Sequence, residues 1–285
     1  MKDNGLLVQY FNANTPADQT LWAKAAKDAA TLKKLGATAV WFPPATKGAA
    51  GKDDRGYAPY DLYDLGEFNQ KGSVGTRYGT KKEYLEAIDA MKAQGINVYA
   101  DIAVRQKLGA DSVEKVTAAD FNAKDIPQMI GNKKIVGALS KFTFPGRKSK
   151  YSKFKWNWNH FAGIDWQQDD FKRRVCELSG MTEMEAEKKY KLSKYDYIIG
   201  SELDLYNQEV YDELMAWAKW YENVTGVDGF RFQEAEKIPG WFIRDFAEAA
   251  SNAGEEEKEI FTVGDFWHWR CDYINDYIAV SYTHL

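Results

Sequence analysis

Ile96-Asn97-Val98-Tyr99-Ala100-Asp101-Ile102-Ala103-Val104 is the stretch on which the fold turns. It is short, apolar and set off by Gly95 from a helical run reaching Gln94, so it reads as a buried strand. That run opens on Thr80-Lys81-Lys82-Glu83, the pattern of a capping box. Further back, Ala39-Val40-Trp41-Phe42 is a second strand, closed by Pro43-Pro44. Thr20 to Leu35 is helical: Leu21, Ala25, Ala29, Leu32 and Leu35 recur at helical spacing and Gly36 stops the run. Gly5 to Phe11 reads as the first strand. Strand, helix, strand, helix, strand predicts a parallel sheet. Residues 45–79, rich in Gly, Asp and Lys, predict a long loop of the functional kind.

Beyond Val104 the rhythm breaks. Residues 105–205 show no clean helix–strand alternation and read as an inserted subdomain. The rhythm then resumes: a helix from Asn207 to Tyr221, a strand from Val227 to Phe232, a helix from Trp241 to Ala250, a strand from Ile260 to Phe266, and a new helix near Asp272. A doubly wound sheet and a closed (β/α)8 barrel both fit. The first strand lacks a following G-x-G-x-x-G, which lowers the dinucleotide reading. A large insertion after the third strand favours a TIM-type barrel with its loops at the C-terminal face. Only about five βα units fit where a barrel needs eight, so an incomplete barrel is expected. The expected units are 1–104 (first part of the barrel), 105–205 (inserted B subdomain) and 206–285 (barrel continued).

The chain has 285 residues, of which 45% are apolar, enough for a sizeable core. Lys and Arg number 38 against 42 Asp and Glu, a net charge of −4, and a nucleic-acid binder would show a basic excess. The tracts Lys148 to Lys155 and Lys188 to Lys194 are flanked by acids and read as solvated faces. No apolar run approaches the ~18 residues of a membrane span. Met1-Lys2-Asp3-Asn4-Gly5 has no apolar signal core. A cytoplasmic protein with no nucleic-acid or membrane partner is expected. Cys176 and Cys271 have no metal-ligand spacing and read as ordinary thiols. Aromatics make up 15% of the chain, enough either to fill a large core or to offer faces on which sugars stack.

Five motifs occur in order: Gly56-Tyr57-Ala58-Pro59-Tyr60-Asp61-Leu62-Tyr63-Asp64-Leu65-Gly66-Glu67-Phe68, Tyr78-Gly79-Thr80, Phe144-Pro145-Gly146-Arg147, Phe154-Lys155-Trp156 and Gly226-Val227-Asp228-Gly229-Phe230-Arg231. Together they resemble the α-amylase family, glycoside hydrolase family 13, and within it the liquefying bacterial α-amylases, from about Gly5 to about Tyr277. The resemblance implies a (β/α)8 barrel with a B domain after strand three, and retaining hydrolysis of α-1,4-glucans such as starch or maltodextrin. It also implies three further barrel units, a C-terminal β domain and a third catalytic acid beyond the seventh strand, so a truncated chain is expected. Ser281-Tyr282-Thr283-His284-Leu285 does not read as a natural continuation.

The same resemblance assigns positions. It implies a nucleophilic Asp two residues after Arg231, where Gln233 stands, and a Glu acid/base where Asp265 stands. A neutral amide is a poor nucleophile, and Asp is one methylene shorter than Glu, where a misplacement of ~1 Å costs about 10²-fold. Glu234 follows Gln233, but successive strand residues face opposite ways, so it reads as a loop charge. Arg231 is the residue that orients the nucleophile in the family. Tyr57 matches the aromatic that stacks on the sugar, and Trp267 follows the acid position, where it would line the cleft or pack in the core. Gln106 stands at a sugar-binding His position, and Arg105 at that of a calcium-ligating Asn. Glu236 and Lys237 stand where the family has Lys-His. Calcium is implied at Asp165, Asp196, Glu202 and Asp204, although a cation at position 105 opposes it, because Ca²⁺ takes oxygen ligands. His160 and His268 have no metal-ligand pattern and read as packing or surface residues.

Three readings follow. The first is an α-amylase-type hydrolase impaired at Gln233, Asp265, Arg105 and Gln106. The second is a non-catalytic amylase-like protein that binds α-glucan, or a protein partner, through the same cleft. The third is an incomplete product whose open sheet edges favour aggregation.

Overall fold

The computed structural model describes residues 5–121, 129–169, 172–178, 199–254, 256–268 and 271–281. Five short strands form one parallel sheet: β1 (Leu7–Gln9), β2 (Ala39–Phe42), β3 (Asn97–Ile102), β4 (Gly229–Phe232) and β5 (Phe261–Gly264), paired in that order. Helices α1 (Leu21–Lys34), α2 (Lys81–Ala93), α3 (Gln208–Thr225), α4 (Gly240–Ser251) and α5 (Cys271–Ser281) alternate with them. This is a partial (β/α) barrel: among the described residues the sheet stays open, with β1 and β5 as its edges.

Strand parity decides what each side of the sheet does. Val40, Phe42, Val98, Ala100, Ile102, Phe230 and Phe232 alternate on one face and are almost fully buried. That face packs on the helices. Phe42 meets Trp22 of α1 and Tyr84 of α2, while Phe230 meets Tyr221 of α3 and Phe246 of α4. Trp22, Tyr78, Tyr84, Trp217 and Tyr221 are all sealed, so much of the aromatic richness goes into the core. The opposite face carries Trp41, Tyr99, Asp101, Arg231 and Val263 in lateral register.

The helices end as their local chemistry dictates. Thr80 and Glu83 form the expected capping box, the Thr80 side chain accepting from Glu83 N and the Glu83 carboxylate accepting from Thr80 N. Asn207 caps α3, which runs four residues past the expected Tyr221 and stops at Gly226, whose φ of +61° glycine adopts without strain. Strand β3 ends at Ile102 rather than Val104, because the chain turns there into the insertion.

The insertion is antiparallel. Its strands lie in the order Gln106–Lys107, Ser201–Leu203, Phe161–Gln167, Lys172–Glu177, Ser112–Phe121 and Met129–Lys141. The sheet therefore begins and returns beside the barrel, since Gln106 pairs with Glu202. The long loop is pinned to the insertion by buried charge. Arg147 donates to Asp61 at 2.8 Å; within the loop itself, Lys47 donates to the Val74 carbonyl at 2.6 Å while lying 3.5 Å from Asp64. Two of the quoted motifs thus meet in space. Gly146 is required at that contact, since a Cβ there would lie 2.4 Å from the Asn69 carbonyl oxygen.

Candidate active site

Three strands deliver three charges to one point. Asp101 is the fifth residue of β3, Arg231 lies opposite it on β4, and Asp265 follows the last residue of β5. The ladder continues past the strand ends, with Gln233 N donating to the Ile102 carbonyl and Asp265 N to that of Phe232. Gln233 and Asp265 come two residues after Arg231 and Val263, so strand parity up to the strand ends aims both toward the side of the sheet that carries Arg231.

The Arg231 guanidinium bridges two carboxylates. Its Nη1 lies 3.0 and 3.1 Å from the two oxygens of Asp101, and its Nη2 donates to Asp265 Oδ2 at 2.5 Å. It stacks over Trp41, 4.5 Å from the ring centroid, where cation–π attraction adds to the ion pairs. The Tyr57 hydroxyl donates to Asp101 Oδ2 at 2.7 Å. Burial pushes the Asp101 carboxyl above the usual carboxylate range, and Arg231 opposes that shift. Burial, reinforced by the Asp101 charge, raises the Tyr57 phenol well above its ordinary value, so it stays a donor. A cavity of about 260 Å³ opens on this face, lined by Leu7, Trp41, Tyr99, Arg231, Val263, Gly264 and Asp265.

The remaining positions fall as follows. The Gln233 side chain makes no hydrogen bond among the described residues, and the second arm of Arg231 pairs with Asp265. Gln106 is buried and donates to the Tyr57 carbonyl at 3.2 Å, steadying the residue expected to stack on sugar. Trp267 is 81% exposed, which removes core packing from its two readings. Glu234 leaves the strand in the left-handed region, at φ +51°. The sequence marked neither Trp41 nor the pairing of Arg231 with Asp265. Only the register of Trp41 with Tyr99 across β2 and β3 could have found the former.

No family model matches the chain. The α-amylase of Geobacillus stearothermophilus is 44% identical over 277 residues, 96% of this chain and 50% of that protein. The cytoplasmic α-amylase of Escherichia coli K12 is 36% identical over 279 residues, 96% of this chain and 56% of its own. The chain belongs to the α-amylase family. It spans about half the length of the curated relatives it matches. Among solved structures, the acarbose complex of the Geobacillus thermoleovorans α-amylase overlays 96% of this chain and 49% of its own, with a TM-score of 0.56 at 17% identity, which speaks to the fold.

The acidic positions of this amylase-family chain are dispersed. Asp165 accepts from Gly200 N at 2.9 Å, Asp204 from Tyr206 N at 3.2 Å, and Glu202 from Arg105 at 2.7 Å. Asp196 and the tract Lys188 to Lys194 lie outside the described residues. Among the described residues no three His, Cys, Asp or Glu side chains are grouped so as to hold a metal ion. His160 is buried against Phe154 and Trp156 with Nε2 3.0 Å from Glu209. His268 packs edge-on against Tyr273. Cys176 is buried and Cys271 exposed. No helix among the described residues is long and apolar enough to cross a membrane.

Proposed function

We propose that this chain recognises α-1,4-glucans of the starch or maltodextrin type through the barrel mouth, and that its hydrolytic chemistry is strongly impaired. Retaining glycosidases need two carboxyl groups about 5–5.5 Å apart, one to attack the anomeric carbon and one to protonate the leaving oxygen. At the position of the first stands Gln233, whose amide supplies neither a nucleophile nor a negative charge for an oxocarbenium ion. At the position of the second stands Asp265, and its carboxylate is paired with Arg231. That pairing is the observation on which the reading rests. A carboxylate held against a guanidinium at 2.5 Å is not free to reach a leaving oxygen, and Asp is one methylene shorter than the Glu the resemblance implies there.

The parts needed for binding are in better order. Tyr57 is fixed by Asp101 at its hydroxyl and by Gln106 at its carbonyl. Trp267 offers an exposed aromatic face two residues beyond Asp265. The polar groups of Arg231, Asp265 and Gln233 lie on the same side of the sheet as the cavity and match sugar hydroxyls.

The test is maltoheptaose binding by calorimetry beside reducing-end release from soluble starch, on the unmodified chain and on Asp265→Ala. Saturable heat with reducing-end release no faster than in Asp265→Ala is expected. Turnover by the unmodified chain that disappears in Asp265→Ala would instead make it a working hydrolase. No binding heat and no turnover would remove the glucan reading altogether.

A further inference from the structure

A second guanidinium organises the junction between barrel and insertion. Arg105 lies three residues beyond β3, at the point where the chain leaves the barrel, and its side chain is 3% exposed. Its Nη1 donates to Glu202 Oε2 at 2.7 Å and its Nη2 to Glu234 Oε2 at 3.0 Å. Its carbonyl accepts from Leu203 N at 2.8 Å. Lys237 closes the far side by donating to Glu234 Oε1 at 2.5 Å. Three segments therefore converge on one cation: the exit of β3, the strand by which the insertion returns, and the loop after β4. Glu234 holds a left-handed backbone at φ +51°, a conformation a side-chain-bearing residue keeps only where its surroundings fix it. Here its carboxylate is held by Arg105 and Lys237.

The residues at this point do not fit calcium. Ca²⁺ takes six to eight oxygens, each about 2.3–2.6 Å away. The Glu202 oxygen that faces the junction already accepts from a guanidinium. A divalent ion beside it would set two cations against one carboxylate in a buried place, where like charges repel most.

We propose that the Arg105 guanidinium is the cation that fastens the insertion to the barrel, at the place where the family resemblance implies calcium, so that this junction holds without metal. The guanidinium is always charged and its fork of donors reaches two carboxylates at once. A tethered cation is also never lost to a chelator.

The experiment is thermal unfolding of the 285-residue chain in EDTA and in excess Ca²⁺, with terbium luminescence as an independent reporter of oxygen-ligated metal. The unmodified chain should unfold at the same midpoint in both solutions. Arg105→Met should lower the midpoint, because it leaves Glu202 without its counter-charge and Glu234 with Lys237 alone. Adding Glu202→Gln and Glu234→Gln to Arg105→Met should recover part of the loss, which a purely steric defect would not show. A midpoint that rises with Ca²⁺, together with a terbium signal abolished by Glu202→Gln, would overturn the proposal, as would an Arg105→Met chain as stable as the original. If Arg105→Met fails to fold, the calcium and terbium comparison on the unmodified chain decides alone.

Discussion

Two guanidinium groups, Arg231 on β4 and Arg105 just past the end of β3, hold two carboxylates each, yet one borders a cavity and the other is itself almost wholly buried. Arg231 binds Asp101, whose side chain is fully buried, and Asp265, whose side chain is 26% exposed at the edge of the cavity. Arg105 binds Glu202 and the partly exposed Glu234, but its own side chain is 3% exposed against 13% for Arg231. The same chemistry can thus position a reactive group or lock a junction, and access to solvent separates the two uses. At Arg231 a ligand has room to displace Asp265 from the guanidinium. At Arg105 the charges are already satisfied by the chain itself.

The largest expected effect lies on the sealed side. Removing one partner of a buried ion pair costs about 3–5 kcal/mol, because the charges left behind cannot reach water. Arg105→Met should show a loss of this order in urea unfolding while leaving the open site chemically intact. A loss under about 1 kcal/mol, the scale of an exposed pair, would mean that the junction is wetter than the structure shows and would break the contrast with Arg231.

Lys107 sharpens the same side with the opposite sign. It is 1% exposed, and its Nζ has no hydrogen-bond partner among the described residues. The ammonium lies 5.1–5.5 Å from the rings of Phe142, Phe144 and Trp156. Burial pushes its pKa down from 10.5 to about 7. The unfolded chain therefore binds this proton more readily than the folded one. The penalty grows as pH falls from 10.5, is complete near 7, and fades as pH rises back toward 10.5. Lys107→Met should stabilise the chain by about 1–3 kcal/mol near neutrality, the scale of an unsatisfied buried polar group. The advantage should shrink as pH is raised, and unfolding curves across that range would show it. A pH-independent difference would mean that packing, not charge, sets the cost.

These contrasts also mark what could be read in advance. The capping box at Thr80 was legible because its chemistry lies within four residues. The barrel strands were legible because parity and apolar runs are local. The inserted sheet was not, since Gln106 finds its partner in Glu202 across the whole insertion and no local period records that pairing. At the site the residues were visible and their pairing was not. Gln233 and Asp265 follow different strands, and only register shows that Arg231 pairs with Asp265. Arg105 likewise read as an obstacle to calcium, whereas its two carboxylate partners emerge only from the packed chain.

The open side should respond weakly in stability and strongly in ligand behaviour. Asp265→Asn removes a partly exposed pair and should cost no more than about 1 kcal/mol, yet it frees one arm of Arg231 to meet a sugar hydroxyl. Calorimetry with maltoheptaose should then show affinity equal to or tighter than that of the unmodified chain. Weaker binding would mean that the Asp265 carboxylate itself holds the sugar.

Trp267→Ala is expected to have the smallest effect on folding. A side chain that is 81% exposed contributes little to the core, and surface substitutions of this kind usually stay within about 0.5 kcal/mol. On a surface built only for solubility the ring would have no purpose, and its loss would go unnoticed in every assay. Beside a sugar site it would have one, because aromatic faces cover the apolar faces of sugars. Unchanged unfolding with weakened maltoheptaose binding therefore belongs to the glucan reading. Unchanged unfolding with unchanged binding would confine the contacts to Tyr57, Trp41 and the charged groups inside the sheet, and would move the bound sugar away from the end of β5.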